Sequence, residues 1–356
     1  MAPSRLFFTI LVQFCTTAFS ICHNRTARFP AIFTFGDSFV DSGNNNFLLT
    51  LLKANHPPYG QSFPGKIATG RFSDGKLFTD FVASSLGIKD IIPPFLQPNL
   101  SANELRSGVS FASGGSGYDD LTTILDNVIS VSKQVEHFKD YVVKLNKAVG
   151  EVAAKNIVKA SLVVVAAGTS DLLINFYGAP TRQIHYGLTG YQDFLQRKTQ
   201  DFIKALYAQG IRKIMIAGLP PIGCLPIQIA TKLKFDLTCV DEENSEAQSY
   251  NQKLISLLSR IEPTLPGIKL VHADIYAPII DMIVYPAKYG LSITNRGCCG
   301  VGLVETAFLC KSFSPVCPNP AHFLFWDSVN PTEVAHWNVA QFLKVHALPQ
   351  FSWRKK

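Results

Sequence analysis

The stretch AIFTFGDSFVDSGNNN occupies residues 31–46. Its first five residues form an apolar run rich in Phe and Ile, and a run that is apolar on both faces is typical of a central parallel strand. Gly36 lets the backbone turn where this strand ends. Ser38 therefore lies just beyond a strand end, where open parallel sheets bind their ligands. The alternative for this pattern is that Asp37 or Ser38 caps the following helix.

Further apolar runs alternate with stretches of helical spacing along the chain. The runs predict strands at residues 162–167, 213–217, 269–272 and 323–326. The helical spacing predicts helices at residues 75–86, 191–209, 242–261 and 331–345. This alternation predicts an α/β fold, a three-layer α/β/α sandwich of flavodoxin-like type with a mostly parallel central sheet. Because no internal repeat or Pro/Ser-rich linker interrupts the pattern, we expect a single domain over residues 29–347.

Composition and charge set limits on the class of protein. The 356 residues are 47% hydrophobic and 17% charged, which is typical of a globular chain with a large core. The net charge is +7, but Lys and Arg are scattered, with no block of five or more. We therefore exclude nucleic acid as a partner. A mild attraction to acidic surfaces, such as wall polysaccharides, remains compatible with this charge.

The N-terminus resembles a secretion signal. Arg5 precedes an apolar run without charge at residues 6–19, and small residues follow at 18–20. This pattern predicts a cleaved signal peptide over residues 1–20, with cleavage near residues 20–22. A membrane anchor is the alternative, but the run is shorter than the roughly 20 residues that a spanning helix needs. We expect no integral membrane segment after cleavage and an extracellular protein of the apoplast or cell wall.

Cysteines and glycosylation triplets agree with secretion. Beyond Cys15 in the signal and Cys22 near the cleavage point, six cysteines remain, at positions 224, 239, 298, 299, 310 and 317. In an oxidising compartment we expect them to form disulfides, whose pairing the sequence leaves open. Zinc competes for the cluster at 298–317, although the adjacent Cys298 and Cys299 lack CxxC spacing. Asn24 and Asn99 begin N-x-S/T glycosylation triplets.

An ordered series of motifs follows the first one. The blocks are GRFSDG at 70–75, FASGGSG at 111–117, GTSD at 168–171, PPIGCLP at 220–226, KYG at 288–290, GCCG at 297–300 and FWD at 325–327. In this order they resemble the plant GDSL esterase/lipase family of the SGNH hydrolases. The similarity is greatest to the extracellular-lipase group of anthers and pollen coats. It extends over about residues 29–342.

The resemblance implies roles for particular residues. Ser38 would be the nucleophile that attacks a carboxylic ester of a lipid or an acylated wall component. The oxyanion hole would use the backbone N–H groups of Ser38 and Gly115, with Gly114 as a second candidate for the glycine. Asp327 would be the acidic member of the catalytic set. The family implies no metal and no organic cofactor, and the oligomeric state stays unknown.

Two positions depart from the family pattern. The third block has Ser170 where the family has an oxyanion asparagine, and a serine hydroxyl is a shorter donor. The last block has Asn330 where the family has its catalytic histidine. An amide neither gains nor loses a proton near neutral pH, so it cannot act as the general base. Losing a triad member costs on the order of 10⁶ in kcat, and a residual acceleration of roughly 10³–10⁴ survives such losses.

Asn330 also has a possible structural role, and other histidines could in principle replace the missing base. Since Pro331 and Glu333 follow it, we expect Asn330 to cap a helix that begins at Pro331. His336 would then point away from the site, and His56 is the remaining candidate for a substitute base. Two hypotheses follow. The chain is either an ester hydrolase of reduced efficiency or a catalytically inactive relative that binds lipids, esters or a protein.

Overall fold

The computed structural model describes residues 29–124, 126–179 and 181–351. The signal peptide predicted for residues 1–20, together with Asn24, Cys15 and Cys22, lies outside this part of the chain.

Parallel strands form the centre of the molecule. They are β1 Ile32–Gly36, β2 Leu162–Ala166, β3 Lys213–Ala217 and β4 Lys269–Ala273, and they neighbour one another in that order. Val, Ile, Leu and Phe dominate them, and β1 and β2 are buried along their whole length. Strands covered on both faces bury every side chain, which is why the sequence shows runs rather than alternation.

A short extended segment continues the sheet beyond β1. Ser110 pairs in parallel with Thr34, and the N–H of Phe111 donates to the Thr34 carbonyl at 2.8 Å. Numbered along the chain, the order is then 2-1-3-4-5, which is the doubly wound order of flavodoxin-like folds. The direction of winding reverses between β1 and β2. In such sheets the ligand crevice lies outside the carboxyl ends of the strands at this switch point.

Helices cover the sheet. They are α1 Phe78–Ser85, α2 Ala102–Ser107, α3 Leu121–Ile124, α4 Val131–Val149, α5 Glu151–Ala160, α6 Thr181–Ala208, α7 Pro226–Thr231, α8 Asp241–Ile261, α9 Tyr276–Val284 and α10 Glu333–His346. A π-helical segment spans Asp171–Gly178. Short 3₁₀ turns lie at Asn44–Phe47, Pro64–Lys66, Ile222–Cys224, Glu262–Thr264, Pro286–Tyr289, Ala307–Leu309, Pro320–His322 and Leu348–Phe351.

The helices pack in two groups, and this confirms the predicted α/β architecture. Helix α4 contacts both α5 and α6, and α6 contacts α8, while α1 and α9 both pack on α10. With the sheet between them, these groups make the three layers of an α/β/α sandwich. Aromatic rings fill the layer on α4, where Phe35 stacks on Phe111 with ring centroids 4.9 Å apart and meets Phe138 edge-on. This packing fixes the end of β1 that carries Ser38.

The predicted fifth central strand is wrong. Residues 323–326 do form a strand, β6 Phe323–Phe325, but it pairs in parallel with β5 Ile293–Gly297 in a separate two-stranded sheet. The segment at Ser110 takes the free edge of β1 instead. A short apolar run shows that a strand is buried, but it does not show which sheet the strand joins.

Disulfides hold the chain around this small sheet. Cys298 pairs with Cys317 and Cys299 with Cys310, while Cys224 pairs with Cys239. The expectation of disulfides is therefore confirmed, and the zinc alternative for this cluster is wrong. Within residues 29–351, as far as they are described, no helix is long and apolar enough to cross a membrane.

Candidate active site

The turn that carries Ser38 is fixed by its neighbours on both sides. Gly36 has φ of 129°, and a Cβ there would lie 1.8 Å from the Ala166 carbonyl oxygen, so only glycine fits. The side chain of Gln134 on α4 makes two hydrogen bonds to the backbone of the same glycine. Its Oε1 accepts from the Gly36 N–H at 2.8 Å, and its Nε2 donates to the Gly36 carbonyl at 2.9 Å. Ser38 follows at the strand end, half-buried.

Polar side chains of the first motif hold the glycine-rich block beside Ser38. Asp41 accepts a hydrogen bond from the Gly114 N–H at 2.9 Å. The amide of Asn44 donates to the Ala112 carbonyl at 2.8 Å, and that of Asn45 donates to the Gly114 carbonyl at 2.9 Å. All three side chains are buried. The first motif thus carries Ser38 and also positions a second wall of the site.

A cleft of about 410 Å³ opens at the carboxyl ends of β1 and β2. Ser38, Gly115, Ser170 and Asn330 all line it, so four positions spread over nearly 300 residues of sequence meet there. A smaller cavity adjoins the cleft at Ser38, Ser170 and Asn330 and has apolar walls that include Ile279. The site therefore has room for an apolar substituent next to Ser38.

The structure distinguishes the two candidate glycines. The Gly114 N–H is bound to Asp41, whereas the Gly115 N–H has no acceptor among the described residues. Gly115 has φ of 84°, and a Cβ there would lie 2.4 Å from Leu52. Because Gly115 lines the cleft with a free donor, its backbone is the better placed of the two for an oxyanion.

Ser170 stands at the entrance to the π-helical segment, a form of helix that occurs often at functional sites. Its side chain is 8% exposed and makes no hydrogen bond with a described residue. The next residue, Asp171, is bound to the segment that directly follows the glycine-rich block, since its carboxylate accepts from the Tyr118 N–H at 2.8 Å and from the Thr122 hydroxyl at 2.5 Å. The third motif is thereby joined to the second.

Asp327 is buried and surrounded by donors. The N–H groups of Val329 and Asn330 lie 2.9 and 2.7 Å from its Oδ1. The Tyr59 hydroxyl donates to Oδ2 at 2.8 Å, and the Thr306 hydroxyl donates to the same oxygen at 3.2 Å. Burial raises the pKa of Asp327, and these hydrogen bonds act in the opposite direction. The carboxylate thus has a fixed orientation toward the residue at position 330.

The side-chain amide of Asn330 binds this carboxylate. Its Nδ2 lies 3.0 Å from Oδ1 and 2.9 Å from Oδ2 of Asp327. The predicted capping role is wrong, because Thr332 is the N-cap of α10 and accepts from the Ala335 N–H, and the helix begins at Glu333 rather than at Pro331. The buried carboxylate of Asp327 attracts the amide donor away from the helix end.

No histidine of the described chain lines the cleft or the cavity that adjoins it. Both ring nitrogens of His56, the candidate substitute base, lie within hydrogen-bond distance of the carbonyls of Pro57 and Lys53, and His56 does not line the cleft. His336 is fully buried and packs against Phe39 and Phe78. Burial lowers the pKa of His336 to about 3, which keeps it neutral.

Two buried carboxyl groups flank the serines of the cleft. Burial raises the pKa of Asp37, beside Ser38, to about 7, and that of Asp171, beside Ser170, to about 7. Each of these acids also receives hydrogen bonds from backbone N–H groups, which favour its charged form. No group of three or more acidic, His or Cys side chains in the described residues could hold a metal ion.

Sequence reasoning missed Gln134 and Tyr59. Gln134 lies in an amphipathic helix, and Tyr59 lies in a loop 268 residues from its partner Asp327. Neither has a local signal of its role, since an isolated Gln or Tyr in a sequence is usually a surface or core residue. Lining residues such as Tyr177 and Lys232 were missed for the same reason.

A family model described as GDSL-like Lipase/Acylhydrolase matches residues 32–343. The chain belongs to this family. Three GDSL esterase/lipases of Arabidopsis thaliana illustrate the similarity. One is 46% identical over 331 residues, covering 91% of this chain and 92% of the relative. A second is 44% identical over 354 residues and covers 98% of both chains, and a third is 48% identical over 318 residues, covering 88% and 89%.

Membership in the GDSL family places the chain among hydrolases of the esterase/lipase type. It also confirms the resemblance inferred from the ordered motifs. The names of the relatives identify the family and do not distinguish the anther and pollen-coat group within it. The three disulfides of this GDSL chain fit an oxidising compartment.

Proposed function

We propose that the chain is a secreted carboxylic-ester hydrolase in which Ser38 is the nucleophile and Asn330 makes turnover slow. The observation that carries this proposal is the meeting of Ser38, Gly115, Ser170 and Asn330 in one cleft, with the Asn330 amide bound to Asp327. The substrate class is an ester of a lipid or of an acylated wall component, because the cleft and its adjoining cavity have apolar walls.

The chemistry would proceed by acyl transfer. The Ser38 Oγ attacks the acyl carbon, the carbonyl oxygen becomes an oxyanion, and the backbone N–H groups of Ser38 and Gly115 donate to it. Ser170 supplies a hydroxyl at the third donor position. Collapse of this intermediate releases the alcohol, and water then hydrolyses the acyl-serine. The proton of Ser38 passes to water, and water gives a proton to the departing alkoxide, since no imidazole among the described residues lines the cleft.

The position of the Asn330 amide indicates which part of the catalytic chemistry would be lost, namely acceptance of the serine proton. The Nδ2 of asparagine and the Nδ1 of histidine occupy the same place relative to Cγ. Asn330 therefore keeps the half of a catalytic histidine that donates to Asp327, and it lacks the half that would accept the serine proton. The support for a base is present, while the base itself is replaced by a group that cannot titrate.

A second candidate function is binding without turnover. It is favoured by the state of the Ser38 hydroxyl, which makes no hydrogen bond with any described residue, and by the absence of a histidine from the cleft lining in the described chain. Under this alternative the cleft would hold a lipid, an ester or a protein segment without cleaving it. Family membership does not settle the matter, because function depends on the site rather than on the fold.

Secretion belongs to the same proposal. The support consists of the signal-like N-terminus, the three disulfides and the glycosylation triplet at Asn99, whose side chain is exposed. We further propose that residues 29–347 act as one domain. The extracellular medium would then present the protein with esters of surface lipids or wall polymers.

Hydrolysis of short-chain p-nitrophenyl esters over long incubations tests the proposal with the secreted wild type and Ser38→Ala. We expect wild type to exceed the uncatalysed rate by roughly 10³–10⁴, and Ser38→Ala to lose covalent labelling by a fluorophosphonate. A wild-type kcat near the enzyme median of about 10 s⁻¹, abolished by Ser38→Ala, would show that Asn330 is not limiting. Equal rates for both proteins, with no labelling, would instead support binding without turnover.

A further inference from the structure

Large apolar side chains are exposed on the loops that form the mouth of the cleft. We call six of them the apolar rim: Leu49, Leu51, Ile124, Leu233, Phe235 and Phe308. Leu49 is 90% exposed and Phe235 is 93% exposed, so these side chains have almost no cover from the protein itself. Single exposed apolar residues are ordinary, but a group around one opening marks an interaction surface.

Chain connectivity places the rim at the cleft. Leu52, Asp126, Lys232 and Ala307 line the cleft, one from each of four loops. Every rim residue lies within three positions of one of these lining residues. Since consecutive Cα atoms are about 3.8 Å apart, each rim Cα lies within roughly 11 Å of the cleft wall. The four loops therefore bring their apolar side chains to one opening.

Hydrogen bonds hold the rim loops in this arrangement. The Thr50 hydroxyl donates to the Asp126 carbonyl at 2.6 Å, and the Asn127 side chain donates to the Leu49 carbonyl at 2.8 Å. The loop after α7 is closed by the Lys234 N–H, which donates to the Ile229 carbonyl at 3.1 Å. Exposure of the rim is thus a property of ordered loops, and the protein keeps these side chains in water at a cost in free energy.

Charges on the same loops indicate the kind of surface that fits. Lys234 and Lys311 are exposed, and Lys311 lies 6.0 Å from the centre of the Phe308 ring. Among the acids, the Glu305 carboxylate is occupied by backbone N–H groups, and burial raises the pKa of Asp126, while Asp236 is exposed. Lysines beside exposed apolar groups suit a lipid surface, where the stem enters the apolar phase and the ammonium meets head groups.

We propose that the apolar rim docks the protein onto the surface of aggregated lipid and delivers acyl chains to the cleft. The rim surrounds the opening, so a lipid phase seated on it faces the apolar cleft directly and an acyl chain enters without crossing water. This inference deepens the proposed function by naming the physical state of the ester. Docking itself does not require turnover, which allows the two proposals to be tested apart.

Flotation with lipid vesicles tests docking, using Ser38→Ala so that no hydrolysis alters the lipid. The vesicles contain phosphatidylcholine, with or without phosphatidylglycerol. We expect binding to both compositions, stronger with phosphatidylglycerol, and a loss of at least about tenfold in partitioning when Leu233→Ser and Phe235→Ser are added. Val152→Ser is the matched control, because Val152 is 77% exposed on α5, away from the cleft, and should partition like the parent.

A second measurement covers the case in which the rim variant folds poorly. Phe235→Trp should show a blue shift of tryptophan emission on addition of vesicles, and the same vesicles should leave Val152→Trp unshifted. Docking is overturned if the parent does not float with either composition, or if Val152→Ser lowers partitioning as much as the rim variants do. It is also overturned if the rim drives only self-association in sedimentation. Vesicle binding without any ester turnover would leave docking standing and remove the hydrolase proposal.

Discussion

The turn at Ser38 and the loop from Asp327 to Asn330 are two supports of the same site, and they differ in one respect. Each is buried and rich in hydrogen bonds. The Gln134 side chain hydrogen-bonds to both backbone groups of Gly36, while the hydroxyls of Tyr59 and Thr306 donate to Oδ2 of Asp327. The first support ends in a hydroxyl that faces the cleft. The second ends in an amide that binds its carboxylate and does not titrate near neutral pH.

Positioning and proton transfer are therefore separable properties of such a set of residues. Hydrogen bonds to Asp327 depend on donors, and an asparagine supplies one as well as a histidine does. Base catalysis depends on a pKa near the working pH, which an amide lacks. On the function proposed above, this site would retain its architecture without the group that moves a proton.

Asn330→His is expected to have the largest effect. Because the imidazole Nδ1 takes the place of the present amide donor, kcat/KM for p-nitrophenyl esters should rise by about 10²- to 10⁴-fold. Activity of this variant should increase with pH through the pKa of the introduced imidazole, since only the neutral ring accepts the serine proton. Initial rates across pH 5–9, roughly centred on the unperturbed histidine pKa of about 6.5, measure both effects.

Two controls accompany this variant. Asn330→Gln keeps an amide and should stay at the wild-type rate, and Ser38→Ala combined with Asn330→His should be inactive. If Asn330→His gives no increase while Ser170→Asn combined with it does, the missing oxyanion donor limits the site more than the missing base. If neither Asn330→His nor its combination with Ser170→Asn increases the rate, the residue at position 330 does not explain the low activity.

Gln134→Met is expected to have the next largest effect, on stability rather than on the chemical step. It removes the acceptor of the buried Gly36 N–H and the donor to Ser116, and an unpaired buried group costs about 1–3 kcal/mol. We expect the free energy of unfolding to fall by about 2–3 kcal/mol in urea titrations. Gln252→Met, at an exposed position on α8, should change it by less than about 0.5 kcal/mol. If Gln134→Met lowers the free energy of unfolding no more than Gln252→Met does, the Ser38 turn does not depend on the hydrogen bonds of Gln134.

Tyr59→Phe should have the smallest effect and probes the second support. It removes one hydrogen bond to Asp327 and leaves the Ala307 N–H without its acceptor at 2.8 Å. The free energy of unfolding should fall by about 1–2 kcal/mol, both in wild type and together with Asn330→His. Tyr285→Phe, at an exposed tyrosine, is the control for loss of a hydroxyl. A cost confined to one of the two backgrounds would mean that residue 330 reshapes the donors around Asp327.

Much of the fold follows from local pattern. Runs such as residues 162–167 mark buried strands, because a strand covered on both faces leaves no polar alternation, and four of the five predicted strands join the central sheet in order. The exception is β6, whose sequence is as apolar as the others. Which neighbour a strand selects depends on contacts across the sheet, and these are not encoded in the strand alone.

The family, the position of Ser38 in its motif and the lack of a titratable side chain at position 330 follow from the sequence alone, because each depends on residue identity within a motif. The tertiary structure was needed to show what Asn330 binds, which glycine has a free N–H, and that Gln134 and Tyr59 support the site. Those assignments depend on distances between groups up to 268 residues apart. The buried carboxylate of Asp327 binds the donors that lie near it in space, so Thr332 caps the helix and the amide of Asn330 binds Asp327.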